Sequence, residues 1–542
     1  MRLRAGWRSG EPEIAENGRS KNFSFRVGNS DQSIDRVEIT ETQLIAMTNK
    51  TTPTLYTLQE ATRDCGLVGE KCNVLTIFLG MVHGSFIIMD GPSRSGKDET
   101  TDGAMYLWED LSLSENEDSD LIYKWPASSS AKAPFYKHRL INQTEIQRFP
   151  DFVSMGDDME AILKSFGEGV PATHEKVDIT LSDEMGPENQ LEEMKLDPPR
   201  CLIAFIASDN EKIDLNDIAE TRNRAFIITA DSSEELTRRV NRRQVEMRDG
   251  TYERRVDDNR LNEIRQYNAN IPIKKYTESS AGEIMNLVAG GIQDQEPIPP
   301  KFVEARSDVP RLLDFIEAVT LYHHEDRMEI DTEYPQKLLV APADGWMGFK
   351  IFGERIVMSA LNLRDLDRVI LNYLRSRQNQ KYSAMDIQKA AQERGHHVSV
   401  SDIRRSLENM MYKMYIERHE ESPVAYSASA FGQSVDVANQ AKLDWSHVVE
   451  STKEKARDNL SPEDAEKYIQ NHCEGSGLIV THPISGETVN IIEDTEFEEQ
   501  LETAEKRLAD KVEESPWTDV RHQYNGDSGR ATTDGGESAE HY

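Results

Sequence analysis

Two hydrophobic periods alternate along the first half of the chain. Residues 86–89, 200–206 and 225–228 are short apolar runs, the pattern of strands covered on both faces, as in a parallel sheet. Between them, apolar residues recur every three or four positions. A helix buried all round is predicted over 73–82, and another at Met159, Ile162, Leu163 and Phe166, closed by glycine. Strands alternating with helices predict an α/β layer structure. A second core strand is predicted to end at Thr144-Glu145, and a hairpin to run from His174 to Thr180.

The second half reads differently. Leu312, Leu313, Ile316, Val319 and Leu321 mark an amphipathic helix over 310–327. Three further helices are predicted over 363–377, over 384–394 behind Ser383, and over 402–413 behind Ser401. Two strands, 415–418 and 424–427, then meet around Ser422-Pro423. Three helices and a hairpin is the winged-helix pattern, whose last helix enters a DNA major groove. Arg404, Arg405 and Lys413 fall on the outward side of that helix and are candidate DNA contacts. From residue 444 the chain is helical and acidic, with one more hairpin at 477–482 and 487–491. Beyond Trp517 its Gly, Ser, Thr and acidic content predicts disorder.

Charge changes the picture of the surface. Among 542 residues, 97 are acidic and 63 basic, a formal net charge of -34, and Arg outnumber Lys 38 to 25. The acids run through every segment while the apolar runs persist, which excludes a disordered acidic chain and fits a surface solvated in a high-salt cytoplasm, or simply an acidic protein. No charged and then apolar leader opens the chain, and residues 74–89 are too short and interrupted to cross a bilayer. A cytoplasmic protein with no membrane partner is expected. Four cysteines without a C-x-x-C pair indicate neither a zinc knuckle nor a disulfide framework.

The chemistry centres on Gly91-Pro92-Ser93-Arg94-Ser95-Gly96-Lys97, which fits G-x-x-x-x-G-K between a strand and a helix. These residues, with Asp98 and Glu99, are the candidate nucleotide-binding set. Their backbone N–H groups cradle phosphates while Lys97 reaches the outer ones. Ser or Thr normally follows the lysine and ligates Mg²⁺. Asp98 stands there instead, a hard oxygen ligand and thus a candidate metal residue, but also a negative charge beside a negative ligand. Thr100 or Thr101 are alternative hydroxyls. Glu145 is the candidate for orienting water, with Thr144 where a metal-side acid is usual. Asn210, capping the 200–206 strand, is placed to sense a γ-phosphate. Arg222 and Arg224, just before the strand at 225–228, suit stabilisation of transition-state charge.

Taken in order, Val68-Gly69-Glu70, the phosphate loop, Glu145, the helix ending in glycine, the strand leading to Asn210, and Arg222/Arg224 resemble AAA+ ATPases. More narrowly, the set is similar to primase-associated, helicase-like ATPases of plasmids and viruses, and more distantly to minichromosome maintenance helicases, over about residues 60 to 375. The resemblance implies a P-loop AAA+-like parallel sheet with a helical lid ending at Arg327, ATP and Mg²⁺ as cofactors, DNA as substrate, replication proteins as partners, and a hexameric ring in which Arg222 or Arg224 completes a neighbour's site. It also implies that residues 159–180 face a central channel, with Lys164, His174 and Lys176 touching the strand. The expected organisation is an arm (1–37), an ATPase core (38–300), a lid and linker (301–362), a winged helix (363–430), an acidic helical tail with a hairpin (431–516) and a disordered end (517–542). A nucleotide-gated DNA-binding or initiator protein, and an assembly ATPase acting on protein, remain alternatives.

Overall fold

The computed structural model describes residues 22–26, 36–40, 52–109, 121–125, 133–151, 157–177, 191–207 and, with short interruptions, 224–493. A five-stranded parallel sheet forms its centre. We number its strands β1 (Phe86–Gly91), β2 (Ile122–Lys124), β3 (Ile146–Asp151), β4 (Cys201–Ala207) and β5 (Phe226–Thr229). Their spatial order is β2-β3-β4-β1-β5. Side chains alternate across each strand. Ile87, Met89, Ile203, Phe205, Phe226 and Ile228 enter one apolar layer, and Ile88, Leu202, Ala204 and Ile206 enter the other.

The helices used below are α1 (Leu55–Asp64), α2 (Lys71–His83), α3 (Lys97–Tyr106), α4 (Asp157–Gly167), α5 (Glu234–Asp249), α6 (Ala305–Tyr322), α7 (Pro342–Ala360), α8 (Asp365–Arg375), α9 (Ala384–Glu393), α10 (Val400–Tyr412), α11 (Trp445–Asn459) and α12 (Pro462–His472). α2 is buried all round from Asn73 to Val82, as its unbroken apolar run requires. On its side of the sheet, Phe226 meets Phe315 edge-on at 4.7 Å, and Phe315 stacks on Phe352 at 4.0 Å, bringing α6 and α7 against β5. α4 covers the opposite face with Met159, Ile162, Leu163 and Phe166. Between α4 and β4, Ala172–Val177 and Leu191–Leu196 pair as an antiparallel ladder.

The predicted strand ending at Glu145 does not form. Residues His138–Ile141 make a short helix, Thr144 Oγ1 donates to the Ile141 carbonyl at 2.8 Å, and β3 begins only at Ile146. Polar Gln147 is fully buried in that strand, where its side-chain oxygen accepts from Trp125 Nε1 at 3.2 Å.

The expected lid is not a separate layer, because α6 and α7 share the core built on α2 and the sheet. Arg327 is consumed in that core. Its Nε donates to Asp344 Oδ2 at 2.6 Å, its Nη2 donates to Oδ1, and Asp344 also accepts from Thr320 Oγ1 at 3.0 Å and the Ala341 N–H at 3.1 Å. His323 and His324 bond to helix carbonyls rather than forming a metal site. The segment from 444 to 493 docks on the same core: α11 and α12 contribute Trp445, Val448 and Tyr468, and Tyr468 donates to the Val340 carbonyl at 2.5 Å.

Residues 363–437 build a second core. α8, α9 and α10 pack with a three-stranded antiparallel sheet of Tyr382–Ser383, Ala425–Ala428 and Ile416–His419. The cap of α10 is Ser399, two residues before the predicted Ser401. Asp402 N–H donates to Ser399 Oγ at 3.1 Å and Asp402 Oδ2 accepts from Ser399 N–H at 3.0 Å, a reciprocal capping box. Buried Asp367 accepts from Arg364 N–H at 3.1 Å and from Ser406, tying α8 to α10. In the expected arm, Asn22–Arg26 pairs antiparallel with Arg36–Thr40. Residues 110–120, 178–190 and those beyond 493 lie outside the described residues.

Removing one partner of a buried ion pair strands the other charge, at a cost of about 3–5 kcal/mol. Arg327→Met is therefore expected to lower the urea midpoint strongly, and adding Asp344→Leu to recover part of the loss; an unchanged midpoint in the single variant would refute this account. Burial alone would raise the Asp344 carboxyl, but Arg327 offsets this and leaves it below its ordinary value. The sign follows: this stabilisation is present above the ordinary Asp range and is lost as pH falls through the depressed value.

Candidate nucleotide site

The phosphate loop forms where the sequence places it, between β1 and α3. Gly91 is required sterically, since a Cβ there would lie 2.8 Å from Ser95 Oγ and 2.9 Å from the Ala230 methyl. The chain turns through left-handed conformations at Arg94 (φ 68°) and Gly96 (φ 85°), which converge successive N–H groups on an anion. Lys97 opens α3 and is buried, and its Nζ donates across the loop to the Gly91 and Pro92 carbonyls at 2.6 and 2.8 Å. Ser93, Arg94, Asp98 and Glu99 are exposed, while Pro92 and Ser95 are half-buried. Asp98 and Glu99 lie in the first turn of α3, the positive end of its dipole.

Asp98 is committed to a side chain that sequence reasoning did not single out. It forms an ion pair with Arg148 of β3, whose Nη1 also donates to Asp102 at 2.8 Å. Lys124 of β2 reaches Asp102 at 3.0 Å, and the Arg148 guanidinium lies 4.9 Å from the Phe205 ring centroid. Burial lowers the Arg148 pKa to about 10, so the group remains cationic at neutral pH. The alternative hydroxyls turn away: Thr100 Oγ1 donates to the Gly96 carbonyl at 2.9 Å, and Thr101 is fully buried against Met89 sulfur. Among the described residues no group of three acidic, His or Cys side chains is arranged to hold a metal. Asp98, the candidate metal residue, is thus engaged by Arg148, and the Thr100 and Thr101 hydroxyls are directed elsewhere.

Glu145 is not at this site. β3 and β1 both run parallel to β4, so the residue preceding β3 and the loop following β1 occupy opposite edges, about 20 Å apart along six extended residues. Glu145 instead accepts from Arg200 Nε at 3.2 Å and Nη2 at 3.1 Å, and pairs with Lys274 at 2.7 Å. Burial pushes its carboxyl up, but Lys274 and Arg200 outweigh this and hold it below its ordinary value. The acid at the correct edge is Asp151, the last residue of β3, level with Phe205 of β4 and, through it, with Met89 of β1. The available signal was an acid closing a short segment with Ile146 and Phe149, masked by Gln147, Arg148 and Pro150.

Arg224 lies just before β5, at the edge away from its own loop, paired with Glu168. Asn210 and Arg222 lie outside the described residues. Lys164 is half-buried in the last turn of α4, and Lys176 belongs to the antiparallel ladder. Arg404 and Arg405 are exposed on α10, and Lys413 follows its last turn half-buried. These candidates occupy separate parts of the molecule.

A cleft of about 220 Å³ opens between α1, the 67–71 turn and α5, lined by Tyr56, Leu67, Gly69 and Lys71 and by Arg239, Arg242 and Arg243. Its wall is tied to the loop edge of the sheet: Glu70 Oε1 accepts from the Asp231 N–H at 2.6 Å, and Asn73 donates to the Thr229 carbonyl at 2.9 Å.

No family model matches the sequence, and no curated protein matches it. Among solved structures, the chain is similar to a protein from Cytophaga hutchinsonii that carries a provisional ATPase designation, with 12% identity, a TM-score of 0.32, and coverage of 59% of this chain and 90% of that one. A likeness at that level does not carry an assignment; the order and direction of the five strands and the loop geometry stand by themselves.

Proposed function

We propose that this protein is an AAA+-like ATPase that acts on DNA. The observation that carries the nucleotide reading is the phosphate loop itself: a strand ending in a glycine that tolerates no side chain, two left-handed turns, and a buried lysine at the first position of a helix. It lies at the carboxyl edge of an open parallel sheet, where such sheets bind ligands. ATP is the expected ligand, its phosphates on residues 91–99 and its base in or beside the cleft under Gly69. Asp151, by its position, is the first acid to test for a role in turnover.

The DNA reading is supported by the second core. Three helices and an antiparallel sheet are the elements of a winged helix, and Arg404 and Arg405 project from its third helix. The ladder between α4 and β4 is a second candidate contact, with Lys164 and Lys176. The net charge of -34 opposes DNA binding, but the Debye length falls to about 3 Å in molar salt, so that repulsion is largely screened there. A ring rests on the resemblance alone; Arg224, paired with Glu168 at the edge away from its own loop, is its candidate to act in trans. Replication of a plasmid or virus is the process the resemblance favours. One observation favours a second reading, nucleotide-gated DNA binding without translocation: Asp98 and Asp102 beside the loop are both ion-paired, and the acid expected to orient water is at the other edge.

ATP turnover in molar KCl, with and without single- and double-stranded DNA, separates these readings. Stimulation by DNA supports the motor, and DNA binding altered by ATP without turnover supports the gated module. Lys97→Ala is expected to abolish ATP binding, and retention of parental affinity would remove the nucleotide reading. Glu145→Gln is expected to leave turnover near the parental rate. Arg404→Glu/Arg405→Glu is expected to weaken DNA binding at least tenfold in the full chain without changing its melting temperature; unchanged binding would assign this unit to a protein partner. For the ring, mixing Arg222→Ala/Arg224→Ala subunits with Lys97→Ala subunits is expected to restore activity, since an arginine supplied in trans is worth about 10³ to 10⁵ in rate. Co-assembly without recovery would exclude that role.

A further inference from the structure

An acid and a base face each other beside the phosphate loop. The position after Lys97, where a hydroxyl would present a metal ligand, holds Asp98. The strand two places away, whose last residue is Asp151, also sends a guanidinium to it from three residues earlier. Arg148 is anchored on three sides: Asp98 and Asp102 of α3 accept from it, and the Phe205 ring of β4 lies beside it. Its side chain is only 12% exposed, whereas Asp98 is 65% exposed. The cation is thus positioned by the fold, and the acid is the partner at the water-facing end.

We propose that Arg148 takes the place of Mg²⁺ at this loop, so that the nucleoside triphosphate binds without a divalent ion. The inference rests on the phosphate-loop reading and goes beyond it. A triphosphate entering the loop brings several oxygens of higher charge density than one carboxylate. A guanidinium offers five donors in a planar fork and binds phosphate bidentately. Arg148 exchanges its bond to exposed Asp98 for phosphate oxygens while Asp102 keeps hold of its other edge. Lys124, 3.0 Å from Asp102, leaves that acid still compensated after the exchange. Asp98, released, is solvated at the mouth of the site. In this scheme Asp98 guards an empty loop against losing its cation and competes with the ligand, so it weakens binding rather than assisting it.

The test is calorimetric titration of the full-length protein with ATP, in molar KCl, once in excess EDTA and once in excess MgCl₂. Equal affinity within about threefold is expected, together with a loss of about tenfold or more in EDTA for Arg148→Gln, as befits a charge-assisted bidentate contact. Asp98→Ser changes an exposed residue and is expected to tighten ATP in EDTA. The double variant Asp98→Ser/Arg148→Gln restores a hydroxyl and removes the cation, and is expected to bind ATP weakly in EDTA and recover with MgCl₂. Melting curves confirm that each variant is folded; should Arg148→Gln unfold, Asp98→Ser and the parent's metal dependence decide the matter. Parental binding that requires MgCl₂, or weaker EDTA binding by Asp98→Ser, overturns the proposal while leaving the nucleotide site intact. Binding in neither buffer overturns both the proposal and the nucleotide reading. Parental affinity in Lys97→Ala places the ATP elsewhere and overturns both as well.

Discussion

All five strands of the central sheet point the same way, and that polarity decides which side chains of this protein can work together. A parallel strand delivers its last residue to one edge and its first to the other. The phosphate loop follows β1, so it is met by residues at or beyond the carboxyl ends of strands, by the helix leaving the loop, and by a long side chain such as Arg148 that reaches that helix from within a strand. Glu145 precedes β3 and Arg224 precedes β5, so both are committed to the far edge, where Arg200, Lys274 and Glu168 pair with them. Asp151 ends β3 and reaches the loop edge. No rotamer change moves a residue from one edge to the other.

The same constraint explains how charge is distributed. The chain carries a large acidic excess, yet the cations at its structural junctions are arginines held by two or more partners. Arg200 spans Glu145 and the end of α2, Arg148 spans the two acids of α3, and Arg327 is buried on Asp344 between α6 and α7. Lysine would not substitute in these places, because a point charge on a flexible stem lacks the fork that engages two acceptors at fixed geometry. The exposed acids of the surface can vary without changing these junctions; the arginines cannot.

Much of the architecture was legible from residue patterns because the elements concerned are locally determined. Three buried strands, the helix over 73–82, the helix ended by Gly167 and the hairpin near 479–490 announce themselves by unbroken or periodic apolar positions and by Gly or Pro at their ends. β3 did not, because its stability is non-local: Gln147 is acceptable only with Trp125 beside it, and Arg148 only with acids from a helix 46 residues away. A sequence window sees two polar residues and a proline and reads no strand. The loss of that strand displaced the expected catalytic acid by one sheet edge. Arg327 failed for a similar reason, since its buried partner Asp344 lies beyond two intervening short strands. The docking of the 444–493 segment was hidden too, since its acidic helices each carry only a narrow apolar face.

A tethered guanidinium and a free divalent ion respond differently to salt. In molar salt, monovalent cations compete with any divalent ion for exposed carboxylates, and the Debye length of about 3 Å limits how far Asp98 attracts one. Arg148 is not subject to that competition, because its concentration at the loop is set by covalent attachment to β3 and by the packing of Phe205 beside it. The desolvation that lowers its pKa also strengthens its interaction with any anion that enters, since the surrounding dielectric is low. The acids on the facing helix then follow from placing a strong, permanent cation on the strand: they keep it stable when no phosphate is bound.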